Sequence, residues 1–292
     1  MSSQVFSLPD ARQLGYCIVG KGKPVVYFHG TASSRLEVLL LKEFAEAKDL
    51  QIVCVDRPGY GLSTYRRREN LKDFGNDLNL LVDFLGFDRF SILGWSGGGV
   101  FALGYLAFFS GHVNHTVIVG TPNLPFDASK AHNTTYARYV MKFSLFSRLA
   151  MKNMSRQVLR ANNDISAFLN SKAGKRMRNA YSEDDLKFFS DPTWMTLLYQ
   201  SMAEAFRQSN RGVKTVAEEH KVFLAPWNIP FPKISAEKLF IWHGTDDKTC
   251  SVNNAYLICQ KIGGSHLEVF QGKGHCVMFD KLQKLGGILG LD

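Results

Sequence analysis

Several common signatures are missing from this chain. No CxxC pair occurs, and the five cysteines, Cys17, Cys54, Cys250, Cys259 and Cys276, are scattered and odd in number. Such spacing argues against a zinc ribbon or a disulfide framework, so a reducing, cytoplasmic setting is expected. No Walker loop occurs and no G-x-G-x-x-G follows a strand pattern, which removes the usual phosphate cradles. No His, Cys or carboxylate spacing suits a metal, so neither metal nor cofactor is expected. No uncharged apolar run reaches the ~18 residues a membrane-spanning helix needs. The opening MSSQVFSLPDARQ lacks a basic start followed by a long apolar run, so no signal peptide and no stable membrane anchoring are expected. Internal repeats and low-complexity tracts are also missing.

What is present is a chain of 292 residues, 45% hydrophobic, with a net charge of +9. Between Thr121 and Lys233, Lys and Arg outnumber Asp and Glu 17 to 9; elsewhere the ratio is 18 to 17. The basic excess therefore belongs to one middle segment. Its cations are scattered among Phe, Met and acidic residues, as on a solvated basic surface, so no nucleic-acid partner is expected.

Short apolar runs rich in β-branched and aromatic residues recur: YCIV at 16–19, VVYF at 25–28, IVCV at 52–55, FSIL at 90–93, TVIV at 116–119, LFIW at 239–242 and LEVF at 267–270. Several are almost wholly apolar, which suits strands covered on both faces. Helical patterns lie between them, at 34–49 after a candidate cap at Ser33, and at 71–86, 98–111, 252–263 and 281–290. Strands alternating with helices predict an α/β protein with a mainly parallel, doubly wound sheet. The alternation breaks after TVIVGTP and resumes at KLFIWHG. The spacing predicts a core of residues 1–121 and 234–292 with a helical cap inserted at 122–233.

The stretch SILGWSGGGVFAL at 91–103 sets one serine and three glycines between two apolar segments. Gly94, Ser96 and Gly98 fit G-x-S-x-G. With glycine and serine each near 7% of residues, that match arises by chance in roughly one chain in ten of this length, so its setting matters more. A strand pattern before it and a helix pattern after it give the sharp turn that lifts a serine hydroxyl above a sheet. Side chains at 94 and 98 would crowd such a turn. A serine hydroxyl needs a base, and the base an orienting acid. HGTDDKT places Asp246 and Asp247 just past a strand, and GKGHC places His275 just past the next. The ends of parallel strands are where such sheets gather chemistry.

HGTASSR at 29–35, DRPGYGLS at 56–63, GWSGG at 94–98, HGTDD at 243–247 and GKGHC at 272–276 occur in one order along nearly the whole chain. In these motifs the sequence resembles the α/β-hydrolase superfamily. The resemblance implies Ser96 as nucleophile, His275 as general base and Asp247, rather than Asp246, as the acid. Asp127 is a remoter alternative. It also implies an oxyanion hole from the backbone N–H groups of Thr31 and Gly97. Asp56 is read as bracing its loop, and His29 and His243 as shaping turns.

A serine at the elbow excludes relatives that use aspartate there, the haloalkane dehalogenases and epoxide hydrolases. Acyl transfer to water remains, and the expectation is a carboxylesterase acting on a small-molecule ester with a small to medium apolar acyl group. Trp95, Phe126, Phe143 and Trp194 are candidate pocket residues, although aromatic stripes at helical spacing equally hold a cap together. Proline iminopeptidases resemble this architecture but typically carry the tryptophan after the serine, not before it as here. An amidase or peptidase of that kind, a cofactor-free haloperoxidase, a carbon–carbon bond hydrolase and a non-catalytic ligand-binding relative stay open, as does a homodimer.

Overall fold

A computed structural model describes residues 3–67, 70–122, 144–224 and 229–291. Eight strands form one sheet: β1 (Gln4–Ser7), β2 (Gln13–Val19), β3 (Lys23–Phe28), β4 (Leu50–Val55), β5 (Phe90–Trp95), β6 (Val113–Val119), β7 (Leu239–Gly244) and β8 (His266–Phe270). Their order is β1-β2-β4-β3-β5-β6-β7-β8. Antiparallel pairing joins β1 to β2 and β2 to β4, and every other neighbour is parallel. The sheet is thus mainly parallel, as its apolar strands predict. β1 escapes the sequence pattern because QVFS is short and largely exposed.

Helices cover both faces. A 3-10 segment (Arg35–Leu41) leads into α1 (Lys42–Ala47); α2 (Leu71–Phe84) follows β4, and α3 (Gly97–Phe109) follows β5. The pattern at 34–49 reads as one helix, but its first half winds as 3-10. Arg35 is tied to Asp56 and Glu37 to Gly30 in that half, so tertiary bonds accompany the tighter winding. The cap is Ser34, whose hydroxyl accepts from the Leu36 amide, not Ser33, whose hydroxyl pairs with Ser201. α3 is apolar on every side and is buried over nearly its whole length, as such composition demands.

The chain leaves the sheet after β6 and re-enters beside it at β7. Between them the described residues hold α4 (Ser144–Asn163), α5 (Ile165–Asn170), α6 (Lys172–Asn179), α7 (Leu186–Phe189), α8 (Pro192–Ala205) and α9 (Asn210–Leu224). These helices are a helical insertion between two sheet strands, where the strand–helix alternation of the sequence breaks. Asp164 breaks the helical pattern after α4 by accepting the Ala167 amide as the cap of α5. After β7 come α10 (Asn253–Lys261), β8, α11 (Val277–Asp280) and α12 (Leu282–Leu289). No helix among the described residues is long and apolar enough to cross a membrane.

Strand order reverses between β3 and β5, the topological switch where open α/β sheets form a crevice at their carboxyl ends. The HGT loop leaves β3 there and the serine turn leaves β5.

Candidate active site

Ser96 stands between β5 and α3 at φ 55 and ψ −127. A non-glycine residue in that region carries about 1–3 kcal/mol of strain and stays only where its surroundings fix it. Here they do. The Ser96 amide donates to Val119 O at 2.8 Å, and the next residues are packed too closely for side chains. A Cβ on Gly98 would lie 1.9 Å from Phe28 O, and one on Gly97 2.1 Å from Thr31 Oγ1. Gly99, which the motif leaves unexplained, packs on Thr121 with no more room. The glycines that weaken the helix start therefore let β5, β3 and β6 close around the turn. Gly97 opens α3, so its N–H has no intrahelical acceptor. Thr31 borders the same turn from the HGT loop.

Asp247 and His275 come from the loops after β7 and β8. His275 Nδ1 lies 2.7 Å from Asp247 Oδ2, and both side chains are buried. The carboxylate must accept, so Nδ1 carries the proton and Nε2 keeps its lone pair. Asp247 Oδ1 accepts the Thr249 and Cys250 amides at 2.8 Å each. His243 Nε2 lies 3.2 Å from Asp247 Oδ2 and 2.8 Å from Cys250 O, so this histidine shapes the turn and also backs the carboxylate. Asp246 points outward and accepts from Thr245. Asp127 lies outside the described residues.

Burial would push Asp247 up, but His275 and His243 outweigh it and hold the carboxyl below its ordinary value. Burial likewise disfavours the His275 imidazolium, and Asp247 outweighs it, so His275 sits above the ordinary histidine value of 6.5. Only neutral imidazole can take a proton. Any activity that uses His275 as a base should therefore fall on the acid side with an apparent pKa above 6.5. A kcat/KM profile from pH 5 to 9 checks this, and removing the Asp247 charge should move that limb downward.

The His275 loop is clasped from both sides. Trp95 Nε1 donates to His275 O at 3.0 Å, and its ring lies 5.5 Å from the imidazole and 5.3 Å from Phe279. From the inserted helices, buried Asp185 accepts the His275 amide at 3.0 Å and the Cys276 amide at 2.8 Å. Gly120 brings the end of β6 against the imidazole: a Cβ there would sit 3.0 Å from Nδ1. Val119 O accepts the Ser96 amide, Gly120 packs on His275, and Trp95 precedes the serine and packs near the imidazole, so both residues lie at the carboxyl ends of parallel strands.

A family model described as alpha/beta hydrolase fold matches residues 23–282. The chain belongs to that family. Solved structures share the fold of this hydrolase-family chain end to end. An esterase from Exiguobacterium antarcticum is 20% identical at a TM-score of 0.70, covering 99% of this chain and 98% of the other. A bromoperoxidase from Bacillus anthracis is 18% identical at 0.66, covering 99% and 98%. A thermophilic esterase from Thermogutta terrifontis is 16% identical at 0.62, covering 98% and 96%. No curated protein matches the chain in sequence.

Among the pocket candidates of this hydrolase-fold chain, Phe126 and Phe143 lie outside the described residues. Trp194 packs 5.5 Å from Phe279, which links it through Trp95 to the His275 loop. Other aromatics of the insertion are taken up elsewhere: Phe168 packs on Tyr199, Phe189 on Tyr181, and Phe146 is 54% exposed. Phe223 of α9, which sequence reasoning passes over, packs on the turn, with its ring 3.0 Å from a Cβ on Gly97.

Two buried arginines tie the insertion to the core. Arg35 pairs with Asp56 at 2.7 Å and Glu204 at 2.8 Å; Arg57 pairs with Glu219 at 2.7 Å. Asp56 also accepts the Arg35 and Leu62 amides, which braces its loop as expected. Removing one member of such a pair strands a buried charge and costs about 3–5 kcal/mol. SRLE and DRPGYG carry these residues openly, but their partners in the insertion, Glu204 and Glu219, lie more than a hundred residues away, where no local pattern marks them.

Proposed function

We propose that the protein is a serine carboxylesterase. Ser96 attacks the ester carbonyl as His275 Nε2 takes its proton. The alcohol leaves with that proton, and water, deprotonated by the same imidazole, releases the acid. Asp247 holds the imidazole and stabilises its charged form. The N–H groups of Thr31 and Gly97 receive the oxyanion. The observation that carries this reading is Ser96, held at φ 55 at the carboxyl end of β5, with the buried Asp247–His275 pair on the loops at the carboxyl ends of β7 and β8.

Phe223 over Gly97 and the aromatic chain from Trp194 favour apolar acyl groups, for which the insertion acts as a cap over 122–233. Esterases among the solved structures of the same fold agree with this choice. The protein then takes small-molecule esters, without a metal or cofactor. The test is hydrolysis of p-nitrophenyl esters from acetate to dodecanoate beside the matching p-nitroanilides. Burst release of p-nitrophenol, with kcat/KM peaking at short to medium chains and esters at least ~10²-fold faster than anilides, is expected. Faster anilide turnover would favour the peptidase-like alternative.

A further inference from the structure

Arg57 reaches past its own loop into the HGT turn. Its Nη1 donates to His29 O at 2.6 Å and its Nη2 to Gly30 O at 3.0 Å. His29 Nδ1 lies 2.9 Å from the same Gly30 O. On the opposite side, the Gly30 amide donates to Glu37 Oε1 at 2.8 Å, and Tyr27 Oη donates to that oxygen at 2.7 Å. Two successive peptide groups thus have both carbonyls bound by one guanidinium, and the first has its N–H bound by Glu37.

The second peptide joins Gly30 to Thr31, and its N–H is that of Thr31. A trans peptide is planar and carries its C=O and N–H on opposite sides. Anchoring Gly30 O on the guanidinium therefore fixes the Thr31 N–H on the side away from Arg57. That stretch borders the elbow: Thr31 Oγ1 stands 2.1 Å from a Cβ on Gly97, and Ser96 Cβ 3.8 Å from one on Gly30. A cation on the carbonyl also polarises the peptide and strengthens its N–H as a donor.

Arg57 is itself over-determined. It is fully buried, 5.1 Å from the Tyr60 ring and 4.6 Å from Phe101. Its Nε and Nη2 donate to the two oxygens of Glu219 on α9 at 2.8 and 2.7 Å. Next to the anchored peptide, Ala32 is held at φ 56, a backbone position that relaxes unless the loop is clamped.

We propose that Arg57 is a positioning residue that orients the Thr31 amide as an oxyanion donor, and that Glu219 holds Arg57 in that pose, so the donor is set only when α9 is docked on the core. The inference rests on the acyl-transfer reading above. It assigns a task to the DRPGYG motif and a catalytic consequence to the docking of the insertion. Lysine keeps the charge but not the planar fork, and three donors on a single nitrogen cannot reproduce the four bonds that Arg57 makes from three.

The experiment compares the parent with Arg57→Lys and Glu219→Gln, the latter keeping side-chain shape and an acceptor. Ser96 is titrated to completion with a fluorophosphonate, so every rate is per reactive site and misfolded protein drops out. The readouts are kcat and KM for a p-nitrophenyl ester, and affinity for a trifluoromethyl ketone, whose serine adduct carries the oxyanion, beside the matching methyl ketone. Arg57→Lys should lower kcat about 10²-fold and Glu219→Gln about 10-fold, with KM within about threefold. Trifluoromethyl ketone affinity should fall in step with kcat while methyl ketone affinity holds. Unchanged kcat per site in both variants, or equal losses for the two ketones, would overturn the assignment alone. A parent that Ser96 labelling leaves untouched would overturn the hydrolase reading and this assignment with it.

Discussion

Ser96→Ala should lower ester turnover on the order of 10⁶-fold, the scale set by loss of the nucleophile from an interdependent constellation. The residue left behind still has a Cβ at φ 55, so backbone strain and fold should be those of the parent. Ser96→Gly separates the two effects. Glycine adopts positive φ freely, which relieves about 1–3 kcal/mol of strain against about 0.5–1 kcal/mol of extra unfolded-chain entropy. The inactive glycine variant should therefore melt roughly 2 °C above the parent. Ester assays and thermal melts on the three proteins check both halves. A glycine variant less stable than the parent would mean that the turn is not strained.

Asp247→Asn should lower kcat about 10⁴-fold, because an amide facing Nδ1 can select the imidazole tautomer whose Nε2 carries the proton and cannot act as base. Asp246→Asn should stay within about threefold of the parent, as its carboxylate faces solvent and accepts from Thr245. Steady-state kinetics on the two variants decide between neighbouring carboxylates that composition cannot tell apart. A larger loss at Asp246 would reverse the assignment.

The sheet and its central motifs were legible because their signals are local. Apolar β-branched runs mark the parallel strands, and the glycines around Ser96 mark a turn with no space for side chains. The elements missed are those fixed by distant partners. The 3-10 winding at Arg35–Leu41 accompanies the burial of Arg35 and Glu37 against the sheet, which no helical periodicity encodes. Asp185 sits in an ordinary acidic run, SEDD, yet its carboxylate holds the His275 backbone. Glu219 follows another glutamate in α9 and is distinguished only by the guanidinium it meets. Trp95 adjoins the serine in sequence, but its hydrogen bond to His275 O spans the loops of separate strands. Local sterics write themselves into residue types at fixed spacing; long-range ion pairs do not.

The most direct measurement is the site of covalent capture. The parent is incubated with a fluorophosphonate, digested and mapped by mass spectrometry, beside Ser96→Ala. One phosphonate per chain on the peptide holding Ser96, lost in Ser96→Ala and suppressed by an ester substrate, is the predicted result. No adduct, or an adduct on another serine that persists in Ser96→Ala, would contradict the account.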